Sequence, residues 1–284
     1  MTAEIIDGKA LAEIVLLRVK GGVLALGAPP LLVAVAVGDD KASAAYVKRQ
    51  AKIAQQCGIV YRLDQLPPTA TEAELTAHLE ALNRDGTVTG VILQTPLPRG
   101  FDAGRCRDVL AVEKDVEGVT TMAAGRLFTN RPLALPCTAH AALVCLKAGV
   151  GGELRGLDIA VVGRSEIVGK PLAAMLIHES ATVTVCHRGT KDLAATLRRA
   201  DAIVAAAGSA GLVTGAMIRP GAVVVDVGTN AVSTPEGTKL VGDVRFDEAK
   251  EIAKALTPVP GGVGQVTVAL LMQNVVELAR AAKR

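Results

Sequence analysis

The chain has 284 residues, enough for one large domain or two ordinary ones. Half of them are apolar, yet only 2% are aromatic and none is Trp, so the core has to be built from Val, Leu, Ile and Ala, as in α/β proteins with covered parallel sheets. A net charge of +3 from well-mixed charges leaves no basic tract for nucleic acid, and the apolar runs are too short and too often interrupted to span a bilayer.

From the N-terminus, Lys9–Lys20 has helical periodicity and Leu31–Val37 reads as a buried strand. Ser43–Cys57 is an Ala-, Lys- and Gln-rich helix, Val60–Leu63 a short strand, Glu72–Asn83 a helix. Val88–Leu93 is another buried strand, ending at Gln94-Thr-Pro-Leu-Pro98. Residues 101–135 lack strong periodicity and are expected to cross between domains. The pattern then restarts, with strands expected at Asp158–Val162, Thr182–Cys186, Ala202–Ala206 and Val223–Val227, and helices at Pro171–His178 and Leu193–Ala200. A helix over Val266–Arg284 follows the turn Pro260-Gly-Gly-Val-Gly264. Strand-then-helix alternation in both halves predicts parallel sheets with right-handed crossovers.

Cys57, Cys106, Cys137, Cys145 and Cys186 form no CxxC pair and no metal-ligand spacing with the histidines. A scattered, odd set without a signal peptide reads as reduced, buried thiols in a cytoplasmic protein, with no metal expected.

The most informative stretch is Asp158-Ile-Ala-Val-Val-Gly163-Arg-Ser-Glu-Ile-Val-Gly169-Lys-Pro171. An apolar run stops at a glycine, and a second glycine and a proline open the next helix. This is the pattern of a buried strand feeding a helix whose N-terminal amides can hold a phosphate. Such turns also occur in α/β proteins that bind nothing, and the spacing is not GxGxxG. The following strand ends in His187-Arg188, where the acid that grips a free ribose hydroxyl in NAD sites is missing. Arg164 and Arg188 can instead surround a ribose phosphate, which favours NADP.

Three further groups of residues could carry chemistry. Tyr46 and Gln50 lie four apart, on one face of a helix. Gln94 sits at the C-terminal end of a strand, where open α/β sheets place their sites. Asp115-Val-Glu117-Gly118 puts two carboxylates in a turn. Each has a plain alternative: a helical Tyr usually packs, a strand-end Gln often satisfies a loop, and acids beside Gly usually make turns.

Taken together with Ile6-Asp-Gly-Lys9, Val37-Gly-Asp-Asp40, Ser43-Ala-Ala-Tyr46, Gln94-Thr-Pro-Leu-Pro98, Lys114-Asp-Val-Glu-Gly118, Pro136-Cys-Thr138, Asp226-Val-Gly228 and Thr257-Pro-Val-Pro-Gly-Gly-Val-Gly264, the chain resembles the methylenetetrahydrofolate dehydrogenase/cyclohydrolase family over essentially its whole length. The resemblance implies a two-lobed α/β protein with a folate cleft between the lobes. One lobe would be a catalytic domain over residues 1–121, completed by a C-terminal helix over 265–284. The other would be a Rossmann domain with a parallel sheet over residues 122–264, binding NADP. It also implies a homodimer and a tetrahydrofolate one-carbon derivative as substrate. By position, Gly163, Arg164, Ser165, Val168, His187, Arg188 and Thr229 would meet the dinucleotide. Tyr46 would lie against the pterin, Gln94 would orient the reacting centre, Glu117 would hold the pterin edge, and Pro260 and Gly261 would border the substrate.

The family pattern on the Tyr46 helix is Tyr-x-x-x-Lys, the lysine being the central catalytic residue, and here that position is Gln50. Lys48 points roughly 160° away from Tyr46 around the helix, and Lys52 faces away as well. Glu117 replaces the usual Asp, Ala139 the proline after Pro-Cys-Thr, and Gln265 the proline after the last glycine. Oxidising a methylene bridge needs placement of carbon against carbon, which Tyr46, Gln50 and Gln94 can still supply. Hydrolysing the methenyl cation needs proton transfers that a neutral amide cannot make. The expectation is an NADP-dependent dehydrogenase with weak or lost cyclohydrolase activity. The alternatives are a non-catalytic NADP-binding paralogue and a dehydrogenase for a related pterin carrier.

Overall fold

The computed structural model describes residues 2–38, 41–234 and 237–283. In chain order its elements are β1 (Glu4–Ile5), α1 (Gly8–Ala25), β2 (Leu31–Val37), α2 (Lys41–Gln56), β3 (Val60–Leu66), α3 (Glu72–Arg84) and β4 (Gly90–Leu93). There follow α4 (Ala103–Asp108), α5 (Thr121–Phe128), α6 (Cys137–Val150), β5 (Asp158–Val162), α7 (Gly169–His178), β6 (Thr182–Cys186), α8 (Leu193–Leu197) and β7 (Ala202–Ala205). The last are β8 (Val223–Asp226), β9 (Asn230–Thr234), β10 (Gly237–Val241), α9 (Phe246–Lys250), β11 (Ala255–Leu256) and α10 (Val263–Ala281).

These elements form two compact units. One joins Met1–Glu13 to Pro136–Thr267, the other Ile14–Leu135 to Val268–Arg284. The compact units divide at 13/14, 135/136 and 267/268, and the first residues go with the larger sheet, where β1 pairs with β11. Residues 101–135, expected to cross between domains, fold within one unit as α4, α5 and turns.

In the unit containing residues 14–135, three parallel strands lie in the order β3-β2-β4. The central strand β2 is Leu-Leu-Val-Ala-Val-Ala-Val and is buried almost throughout, as a strand covered on both faces requires. α3 begins at a capping box, Thr71 with Glu74, and turns Leu75, Leu79 and Leu82 inward at helical spacing. These leucines pack with Val33, Val35, Val91 and Leu93 of the sheet. On α2, Gln50 and Ala54 face inward one turn apart, and Cys57 just beyond the helix is buried too, so a polar residue occupies a core position.

The other unit carries a six-stranded parallel sheet, β1-β11-β8-β7-β5-β6, and a separate hairpin of β9 and β10. β5, β7 and β8 are nearly continuous runs of buried Val, Ile and Ala. Their order reverses direction of growth at β5, leaving β6 on one side and β7 and β8 on the other, the arrangement that opens a crevice beyond the strand ends. α6 is largely apolar: Ala139, Ala141, Ala142, Leu143, Cys145, Leu146 and Gly149 are all buried, and His140 and Lys147 lie on its part-exposed side. It ends at Gly151 in the left-handed conformation, φ 88°. All five cysteines are buried and none forms a disulfide.

Two buried carboxylates tie the loops at the ends of these strands. Asp243 accepts from the backbone N–H groups of Ala207, Gly208 and Ser209 at 2.6, 2.9 and 2.8 Å, and from Asn230 Nδ2 at 2.9 Å. Asp226 accepts from the N–H groups of Gly228, Asp243 and Val244 at 2.9–3.0 Å. Burial pushes Asp226 up to about 6, against the pull of those three donors. Asp243→Ala would strand these donors in the interior, and it should cost at least about 3 kcal/mol in urea unfolding.

Candidate active site

α2, β3 and β4 bring together four polar side chains. Gln50, with no exposed surface, accepts at Oε1 from the Tyr61 hydroxyl of β3 at 2.9 Å and from Gln94 Nε2 at 3.1 Å. Gln94 follows the last residue of β4 and is held by its own N–H to the Val35 carbonyl. Tyr46, one turn before Gln50 and 39% exposed, lies close enough to Tyr61 to disfavour its ionisation. Desolvation is the larger cause, and together they hold the Tyr61 phenol protonated well above the ordinary tyrosine range. Gln50 Nε2 is buried without a hydrogen-bond partner. Lys48 and Lys52 are exposed, as the helical spacing predicts.

Tyr46, Gln50 and Gln94 therefore do converge. Tyr61 is the residue that the sequence reading misses. It lies on a strand with mixed exposure, and its meeting with Gln50 depends on how α2 returns to β3. Its one sequence signal is scarcity, since the chain has only two tyrosines.

The Lys-Asp-Val-Glu-Gly turn is pinned at each residue but one. Lys114 Nζ donates to the Leu82 and Asp85 carbonyls at the end of α3. Asp115, 1% exposed, accepts from the N–H groups of Gly118 and Thr120 at 2.9 and 2.8 Å. Residue Val116 receives Asn274 Nδ2 on its carbonyl at 2.7 Å. Glu117 is half-buried and hydrogen-bonds to none of the described residues. Desolvation, then the nearby Asp115, push its carboxyl up to about 8, while Arg107 opposes them. A carboxyl without an internal partner, made costly to ionise, is what a ligand-binding acid looks like before its ligand arrives.

In the other unit the nucleotide-binding candidates sit at C-terminal strand ends. Gly163 follows β5 with φ 129°, and a Cβ there would lie 2.1 Å from the Ala206 carbonyl oxygen. A Cβ on Gly169 would lie 2.2 Å from the Gly163 carbonyl oxygen, so both glycines are required for the turn to fold onto its helix. Ser165 Oγ accepts from the N–H groups of Val168 and Gly169 at 3.2 and 3.4 Å. The helix amides expected to hold a phosphate are thus partly engaged by Ser165. Arg164, Ser165 and Glu166 lie exposed in the preceding loop.

His187 and Arg188 follow β6, which pairs with β5, and both are exposed. His187 Nδ1 accepts from the Gly189 N–H at 3.0 Å and its own N–H donates to Thr190 Oγ1 at 2.9 Å, fixing the turn that carries Arg188. Thr229 is exposed beyond β8, next to Gly228, whose N–H binds Asp226. Pro260, exposed, and Gly261, φ 114°, occupy the loop between β11 and α10. The two groups of candidates belong to different units. A cavity of about 570 Å³ beside Val259, lined by Lys239, Arg245 and Glu248 among others, includes none of the candidates.

Two exposed arginines on neighbouring strand ends, a glycine turn closing onto a helix, and an acid-free β6 terminus fit a phosphorylated dinucleotide. These features define a nucleotide-binding α/β protein with a second polar centre in its other unit. Residues 136–283 match the sequence profile of the tetrahydrofolate dehydrogenase/cyclohydrolase NAD(P)-binding domain, and residues 6–117 that of the catalytic domain. The chain belongs to this family.

Among its relatives, the bifunctional protein FolD of Bordetella bronchiseptica is 45% identical over 99% of both chains. That of Moorella thermoacetica is 45% identical over 99% of this chain and 100% of its own. The crystal structure of the Campylobacter jejuni bifunctional methylenetetrahydrofolate dehydrogenase/cyclohydrolase superposes with a TM-score of 0.93 at 38% identity, covering 99% of both chains. The Trypanosoma brucei enzyme, solved with NADP cofactor and inhibitor, gives 0.93 at 36% identity over 100% of this chain and 99% of its own.

Glu117 gives a pH signature. With a folded value of about 8 against an ordinary 4.5, the folded protein keeps a proton that the unfolded chain releases, so this group's contribution to stability falls as pH rises through that window. Glu117→Gln should remove the slope. Its melting temperature, relative to the parent, should rise between about pH 5 and pH 8 in paired thermal melts; a constant difference would show that Glu117 ionises normally.

Proposed function

We propose that the chain is an NADP-dependent methylenetetrahydrofolate dehydrogenase whose cyclohydrolase step is weak or lost. Gln50 is the observation that carries the reading. Its partners are a phenol held protonated and a second amide, so the group supplies neither a base for water nor an acid for a departing nitrogen.

Dehydrogenation asks less of the protein. NADP, when bound, supplies the hydride acceptor. Arg164 and Arg188 hold the ribose phosphate, Gly163 lets the backbone approach the pyrophosphate, and Ser165, Val168, His187 and Thr229 complete the contact. Tyr46 offers its ring to the pterin, Glu117 accepts from the pterin edge, and Pro260 and Gly261 border the substrate. Gln94 and Gln50 fix the reacting centre between them. The catalytic part is taken as residues 1–121 with 265–284, and the cofactor part as 122–264. A cytoplasmic homodimer follows from family likeness, and sedimentation at micromolar concentration checks the dimer.

Purified protein should reduce NADP when given methylenetetrahydrofolate, while methenyltetrahydrofolate should decay at close to the buffer rate. Absence of the first activity favours a non-catalytic NADP-binding protein; clear acceleration of the second refutes the loss. Gln50→Lys should raise the cyclohydrolase rate by about 10²-fold or more, the usual worth of a general acid/base.

Cofactor choice has its own check. Arg188→Ala should raise KM for NADP by about 10–100-fold, the loss of a charge-assisted contact, with little change for NAD.

A further inference from the structure

The hydrogen bonds around Gln50 have a direction. Oε1 accepts twice, from Tyr61 and from Gln94, and Nε2 is left buried and unpartnered. Turning the Gln50 amide over would place its Nε2 against Gln94 Nε2, donor against donor, unless Gln94 turned as well. With both turned, the Tyr61 hydroxyl would lose Gln50 as the acceptor of its proton, and Gln50 Oε1 would be left buried without a donor. The observed arrangement confines the loss to one amide group. A lysine at the same position can only donate, and would draw Gln94 Oε1 inward.

Gln94 keeps 6% of its surface exposed and Gln50 none, so of the two amides it is Gln94 that a ligand can reach. With Nε2 turned onto Gln50, the outer branch of the Gln94 amide is its carbonyl oxygen, which accepts from none of the described residues.

We propose that Tyr61 is a positioning residue that sets the polarity of this amide pair, so that Gln94 presents a hydrogen-bond acceptor, not a donor, to the folate. The catalytic consequence rests on the dehydrogenase reading above. There the C–H bond of the methylene carbon breaks and its electron pair leaves with the hydrogen to NADP. The folate is oxidised, the cofactor is reduced, and a positive charge remains over the two nitrogens and the carbon between them. A carbonyl dipole with its negative end toward that carbon stabilises the charge as it forms, and an NH2 group would oppose it.

The test has two arms, on the full chain. In steady-state dehydrogenation, Tyr61→Phe should lower kcat by about fivefold or more, the worth of one oriented hydrogen bond, with KM for NADP and the melting temperature little changed. The same substitution should have less than about a twofold effect in a Gln50→Met background, because the relay is already broken there. Equal losses in both backgrounds, or a fall in kcat accompanied by equal changes in KM for NADP, would make Tyr61 merely structural and overturn the proposal.

The second arm needs no turnover. In protein labelled with 15N-glutamine, the side-chain signals of Gln50 and Gln94 are assigned from their loss in Gln50→Met and Gln94→Met. Exchange of the Gln94 NH2 protons with solvent should quicken roughly tenfold in Tyr61→Phe. Should Tyr61→Phe not fold, Gln50→Met must produce the same change. Unaltered exchange in the folded variant overturns the relay, whether or not the protein oxidises methylenetetrahydrofolate. Altered exchange in a protein without that activity leaves the relay standing and sinks the functional reading alone.

Discussion

Parallel pairing sends every strand of a sheet in the same direction, so the loops leaving its C-terminal ends gather at one edge, and the three-stranded and six-stranded sheets are both parallel. Gln94 leaves β4, and Gly163, His187 and Thr229 lie beyond β5, β6 and β8. The residues with chemical potential are therefore where they are because of strand direction before any of them is chosen for its side chain. The same pairing forces burial on both faces, which explains why the sheets are Val, Ile, Leu and Ala with few aromatics.

A loop at such an edge has backbone groups to satisfy, and here buried carboxylates absorb them. Asp243 gathers the N–H groups after β7, Asp226 one after β8 and two after β10, and Asp115 those of the turn before α5. Each is surrounded by donors, which offsets much of the cost of burying its charge. Glu117 is different. It lies two residues from Asp115 without such donors, and its carboxyl is correspondingly harder to ionise. The acids that tie loops and the one that ties none are separated here by hydrogen-bond inventory, not by residue type.

Much of this was legible in the sequence. β2, β5 and β6 end at the residues where their apolar or β-branched runs end, and the glycines at 163 and 169 marked the turn. The two-residue strands β1 and β11 carry no period to detect, and exist only because the sheet extends to receive them. The hairpin of β9 and β10 is mostly exposed and polar, so the apolar signal was absent there. α6 shows little period for the opposite reason, being apolar around most of its circumference. In the candidate site the sequence placed Tyr46 and Gln50 on one face through helical spacing alone. Tyr61 was out of reach because no local period links β3 to α2. The partial engagement of the α7 amides by Ser165 was likewise hidden, since spacing does not say where a hydroxyl turns.

The scarcity of aromatic groups has an optical side. With no tryptophan and only two tyrosines, the chain's near-ultraviolet absorption and emission come almost wholly from Tyr46 and Tyr61. Both stand in the same small region, one half-open to solvent and the other donating its proton to Gln50. The protein thus carries an intrinsic chromophore confined to its Gln50 centre, so that dichroism or emission in that band records the state of a few side chains while the rest of the molecule stays dark.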